Sequence, residues 1–183
     1  MDRSAQTFVT PVWLADHLDD PSVFPVEASF YLPDEGKDAD ALFEEAHIPG
    51  AVRFDIDKVA DHSVDLPHML PDAATFERMV GALGISETDT VVIYDATDLL
   101  GGARAWWMFR HYGAANVCIL EGGLVAWRAS DLPIEQGPAR RPAKTFRATF
   151  DGEGVANASQ VLAASKTKSA QIVDARSAPR FAG

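Results

Sequence analysis

Two continuous apolar runs restrict what this chain can fold into: Thr90-Val91-Val92-Ile93-Tyr94 and Asn116-Val117-Cys118-Ile119-Leu120. Neither alternates polar with apolar, so each strand must be covered on both faces, the condition met in a parallel sheet flanked by helices. Between them lies a helix-length segment, Ala103 to Tyr112, rich in Trp106, Trp107, Met108 and Phe109 and closed by Gly113. That spacing is the one a parallel β-α-β crossover requires.

The same rhythm continues towards the N-terminus. Thr10-Pro11 followed by Val12, Trp13, Leu14 and Leu18 predicts a capped helix, and Val23 to Ala28 a strand. Asp38 to Glu45 has helical composition, His47-Ile48-Pro49-Gly50 a turn, and Ala51 to Phe54 a second strand. Phe76, Met79, Val80 and Leu83 recur at helical spacing in Asp72 to Leu83, ended by Gly84. After Asn116 to Leu120, Glu121-Gly122-Gly123 opens a short helix to Arg128. The expected fold is therefore α/β, an open parallel β-sheet with helices on both faces, over residues 8–134.

Residues 135–145 have a linker composition, with Gly137, Pro138, Pro142 and basic residues. A second unit is expected over 146–183: a strand at Phe146 to Phe150, a capped helix at Asn157 to Lys166, and a buried strand at Gln171 to Ala175. Too few elements follow to close an α/β domain, so this second unit reads as incomplete at Gly183. Val26-Glu27-Ala28-Ser29 and Val173-Asp174-Ala175-Arg176 form a faint internal repeat, each following a capped helix.

Composition narrows the function. Of 183 residues, 47% are hydrophobic and 23% charged, a globular balance, and the formal net charge is −11. So acidic a surface repels phosphate backbones and anionic lipid, which disfavours nucleic-acid and membrane partners and requires local arginines for any anionic substrate. The opening residues have no apolar signal region and no stretch is long and apolar enough to span a bilayer, so a cytoplasmic protein is expected. Cys118 is the single cysteine, which leaves no internal disulfide and no thiolate cluster; no metal and no cofactor are expected.

Few residues stand out chemically. Asp95 ends the most apolar strand, where open sheets place ligands, and a glycine-containing loop with Asp98, Gly101 and Gly102 leads from it to a helix N-terminus. An aspartate there more readily caps the loop and helix than catalyses. Cys118 sits among apolar neighbours, where burial raises a thiol's pKa and blocks access, and reads as a core residue. Asp57 and His68 share an irregular stretch in which a carboxylate could hold an imidazole. His47 reads as a turn-stabilising residue, and Arg104 as the partner of a nearby aspartate in preference to an anion-binding group.

In this order the motifs resemble those of the two-domain rhodaneses, the thiosulfate and 3-mercaptopyruvate sulfurtransferases. The resemblance is carried by His47-Ile48-Pro49-Gly50-Ala51, Phe54-Asp55-Ile56-Asp57, Pro67-His68-Met69-Leu70-Pro71 and Val92-Ile93-Tyr94-Asp95. It continues through Arg104-Ala105-Trp106-Trp107-Met108-Phe109-Arg110, Leu120-Glu121-Gly122-Gly123 with Trp127, and finally Val173-Asp174-Ala175-Arg176 with Arg180-Phe181. It implies a rhodanese-like fold and a non-catalytic N-terminal domain, followed by the beginning of a catalytic one. In that family a cysteine of the second domain takes a sulfane sulfur from thiosulfate or 3-mercaptopyruvate as a persulfide and passes it to a thiol or cyanide. The resemblance places Asp95 where an active domain has that cysteine, so this chain by itself is expected to be inactive. It also implies supporting catalytic roles for Asp57 and His68, and for Arg180 a contact to the donor's anionic group. The partners implied are a small anionic sulfur donor, a thiol acceptor and a C-terminal rhodanese domain in the same or a separate chain. The alternative is a catalytically inactive rhodanese module used in protein binding or regulation.

Overall fold

Apolar runs in the strands and amphipathic stripes in the helices meet as expected in an α/β layer structure. The computed structural model describes residues 7–96 and 100–182, so the expectation for Asp98 lies outside the described residues. Two compact units are present, dividing between Phe150 and Asp151.

The first unit is built on a sheet ordered β1-β5-β4-β2-β3, every pairing parallel. Its strands are β1 (Phe8–Val9), β2 (Val23–Glu27), β3 (Val52–Arg53), β4 (Thr90–Tyr94) and β5 (Asn116–Leu120). Because successive strand residues face opposite sides, Val91 and Ile93 enter one apolar cluster while Val92 and Tyr94 enter the other. Helices α3 (Ala73–Ala82) and α4 (Leu100–His111) close the first cluster with Phe76, Val80, Met108 and Phe109. On the opposite face α1 (Pro11–Ala15), α2 (Ala39–Glu45) and α5 (Gly123–Ala129) contribute Leu14, Phe43, Leu124 and Trp127. Thr10 caps α1 as expected, and Asp38 and Asp72, expected as the first helical residues, prove to be the caps of α2 and α3: all three side chains accept N–H groups of the first turns.

The boundary expected after residue 145 is displaced. Residues 135–150 lie along the first unit, with Arg141 donating twice to Gly50 O (2.9 and 2.6 Å) and Lys144 paired with Asp89 at 2.9 Å. Phe146 is 2% exposed and packs edge-on against Phe76 and Phe109. A stretch with linker composition is thus tied down by its own arginine, lysine and phenylalanine. The strand expected at Phe146 to Phe150 is not formed; its backbone N–H groups turn to side chains and a helix end, Ala148 N to Glu77 and Thr149 N to Tyr112 O.

In the second unit α6 (Ala158–Thr167) carries the expected cap, Asn157 and Gln160 bonding reciprocally. The short α7 (Ala178–Ala182) follows. The buried strand expected at Gln171 to Ala175 is exposed coil, with Val173 79% exposed. A strand needs a partner ladder, and no described residue of this unit forms one.

Candidate functional site

Chain direction along the sheet reverses between β2 and β4. From β2 the chain leaves to the edge strand β3, then returns to β4 on the other side and proceeds to β5. Open sheets bind ligands outside the strand C-termini at such a switch point. Here those ends carry Ser29 and Asp95.

Asp95 is 3% exposed and its carboxylate accepts the Gly102 N–H at 3.2 Å, while the Ser29 hydroxyl accepts the Ala96 N–H at 2.9 Å. Its carbonyl accepts Leu124 N–H at 2.9 Å, and a Cβ on Gly123, at φ 54°, would stand 2.2 Å from that oxygen. Only glycine fits there. Asp95 is therefore held by the first turn of α4 through its carboxylate and by the start of α5 through its carbonyl.

Glu27, at the end of β2, was not singled out from sequence. It is 4% exposed, accepts Ser29 N–H at 2.9 Å and pairs with Arg53 at 2.7 Å. Burial pushes its carboxyl up, against the pull of Ser29 and Arg53. Arg53 continues to Asp40 (2.5 Å), and Lys58 bridges Asp40 (2.7 Å) and Asp55 (3.2 Å). A charge inside the otherwise apolar Val23–Glu27 run was the available signal, since such a group demands a buried partner.

This network fixes the turn that carries Asp57. Asp55 accepts the N–H groups of Asp57 (2.9 Å) and Lys58 (3.3 Å), which directs the Asp57 side chain outwards. His68 meets it from the 61–71 loop: Nδ1 lies 3.0 Å from Asp57 Oδ1, ion-pair distance, though off the line of a hydrogen bond. The imidazole is 34% and the carboxylate 61% exposed, so both reach solvent. His68 has φ 56°, a left-handed conformation that histidine adopts more readily than most residues, and its ring stands at 88° to Phe30, 5.1 Å between centroids. An open cleft of about 450 Å³ lies alongside, lined by Ser29, Phe30, Tyr31, Asp55 and Asp57 among others.

The remaining candidates are placed as follows. Arg104 does not form the expected carboxylate pair among the described residues; it donates to His68 O at 2.8 Å and lies over the Trp107 ring at 5.2 Å. Cys118 is 8% exposed within β5, and burial pushes its thiol up, the expectation for a core cysteine. His47 is fully buried, with Nδ1 2.8 Å from Phe43 O at the end of α2, consistent with a turn-stabilising role. Arg180 is exposed on α7 in the second unit, where Asp174 and Arg176 of the faint repeat pair at 2.7 Å. Asp57 and His68 are thus brought together within the first unit; Arg180 belongs to the other. Among the described residues no helix is long and apolar enough to cross a membrane.

Comparison with known proteins gives consistent results. Residues 10–130 match the family described as rhodanese-like domain. The chain is 41% identical over 179 residues to a 3-mercaptopyruvate sulfurtransferase of Escherichia coli, covering 97% of this chain and 64% of that protein. Against the 3-mercaptopyruvate sulfurtransferase of Rattus norvegicus identity is 40% over 184 residues, with 97% and 62% covered. The crystal structure of SseA from Escherichia coli superposes with a TM-score of 0.92 at 41% identity, over 97% of this chain and 68% of that one. The chain thus spans somewhat under two thirds of the curated relatives' length.

Proposed function

This chain belongs to the rhodanese family, and on that premise we propose that it forms part of a sulfurtransferase that moves sulfur from 3-mercaptopyruvate or thiosulfate, through a cysteine persulfide, to a thiol or cyanide. The observation that carries the proposal is the strand end at Asp95. The position that would hold the nucleophile in an active domain holds a buried carboxylate, and Cys118, the only cysteine, is buried with its thiol raised. A nucleophile must therefore come from outside these residues, from a C-terminal rhodanese domain of the same or a separate chain. The first unit, through Phe150, acts in this reading as the non-catalytic domain, and the second unit, from Asp151, begins the catalytic one.

The contribution of this chain is then to the chemistry around the persulfide. When the thiolate attacks the donor's sulfur and the bond to the donor breaks, the departing group gains an electron pair and takes a proton. A solvent-reaching imidazole beside a carboxylate is suited to supply that proton and later to accept one from the incoming thiol; we assign this role to His68 and Asp57, and their 3.0 Å separation supports it. The cleft beside them carries Asp38, Asp40, Asp55 and Asp57 against Lys37, Arg53 and Lys58. Among the described residues it has no surplus cation for an anionic donor, and we assign that contact to Arg180, as the family resemblance implies.

Intact-mass measurement under denaturing conditions, after incubation with each donor, tests the reading. The complete polypeptide, or the co-purified partner, gains one sulfur atom while Cys118 stays unmodified. Sulfur found on Cys118 overturns the assignment of the nucleophile, and no sulfur on any species with either donor overturns the transferase reading.

A further inference from the structure

The loop that carries His68 is fastened mainly through its main-chain carbonyls. Arg104, on α4, donates from Nη2 to His68 O at 2.8 Å, and the hydroxyl of Tyr112, just past the end of α4, donates to Pro71 O. Between them Met69 O accepts the Asp61 N–H at 2.9 Å. Burial pushes the Tyr112 hydroxyl up to about 12, so it remains protonated and a donor at any ordinary pH. Two sequence motifs far apart, Arg104-Ala105-Trp106-Trp107 and Pro67-His68-Met69-Leu70-Pro71, are in contact through the first of these bonds.

Arg104 is an unusual choice for a simple tie. It is half-buried, it pairs with no carboxylate among the described residues, and its charge rests on a carbonyl oxygen and the face of Trp107. Taking a guanidinium partly out of water without a counter-ion costs free energy that a neutral donor would not cost. What the planar fork supplies is direction: stacked on the indole, it aims its N–H along one line. The atom it reaches belongs to the one described residue of this loop with a positive φ, and that backbone conformation sets the direction of the Cα–Cβ bond from which the imidazole projects.

We propose that Arg104 is a positioning residue for His68: its hydrogen bond to the His68 carbonyl holds the left-handed backbone and so seats the imidazole between Phe30 and Asp57. The consequence for turnover rests on the reading of His68 and Asp57 given above; the geometric statement does not.

Two measurements keep these apart. In the whole 183-residue chain, proton NMR reads the cross-peaks between the His68 and Phe30 rings, assigned by their disappearance in His68→Gln. Arg104→Met is expected to lose them while thermal unfolding remains cooperative, and Arg104→Lys, which keeps a cationic donor, to retain them in part. Full-intensity cross-peaks in Arg104→Met overturn the proposal. Should that variant fail to fold, Arg104→Gln, whose amide is too short to reach the carbonyl, is read in the same way. In the complete polypeptide Arg104→Met is expected to lower kcat about tenfold with KM little changed, and to add nothing further when combined with His68→Gln. Additive losses would mean that Arg104 acts other than through His68. Full activity of His68→Gln would overturn the catalytic reading of His68 and leave the NMR result standing.

Discussion

Asp40 shows how much of the site's order depends on individual charges. The Lys58 ammonium and then the Arg53 guanidinium hold its carboxyl below the usual aspartate value of 3.8. A carboxyl lowered in the folded state adds stability that is complete above its unfolded pKa and is lost as pH falls through the folded one. Its side chain is 53% exposed, so solvent screening keeps the effect small. Asp40→Asn is expected to lower the thermal midpoint by a few degrees near neutrality. The gap between variant and parent should then close as pH falls below about 4, because the parent loses a contribution the variant never had. Midpoints measured across the acid range check this; a constant gap would show that Asp40 acts by shape alone. The sequence did not expose this network. Glu27, Asp40 and Arg53 lie on three different elements, β2, α2 and β3, and only the folded unit brings them together. Asp57 and His68 were legible as candidates because their stretch is irregular and polar. Their separation of 3.0 Å was not legible, since a loop without periodicity carries no geometric signal.

Among the elements, legibility followed length and burial. The runs Thr90 to Tyr94 and Asn116 to Leu120 announced β4 and β5 because a continuous apolar stretch has few other uses. The two-residue β1 was missed, being too short to have a period. Gln171 to Ala175 was read as a strand from the same apolar, β-branched signal, yet side chains alone do not make a strand without a neighbouring ladder. Residues 135–145 failed in the opposite sense: proline, glycine and basic residues suggested a linker, while Arg141, Lys144 and the buried Phe146 that follows bind the stretch to the first unit. Phe146→Ala is expected to destabilise the first unit by about 3 to 5 kcal/mol, measured by urea unfolding. A loss below about 1 kcal/mol, the level of an ordinary surface change, would mean that the segment is only draped over the unit.

For the whole molecule the two units differ in kind. The first has cores on both faces of its sheet, whereas no described residue from 151 to 182 is buried. An isolated helix as short as α6 is marginal in water without packing. Limited trypsin digestion of the 183-residue chain is therefore expected to cut first at Lys166, Lys168 and Arg176, leaving the first unit intact. Early cuts at Arg110 or Arg128 would contradict this. The sheet order also has a consequence for how the chain is made. Phe8 pairs with Ile119 and Val9 with Leu120, so the earliest strand to leave the ribosome lies beside the last. Residues 8 and 9 must wait, unpaired, until the rest of the sheet has been synthesised, and closing so long a loop comes late in assembly. The nascent domain remains open along that edge until its final strand emerges.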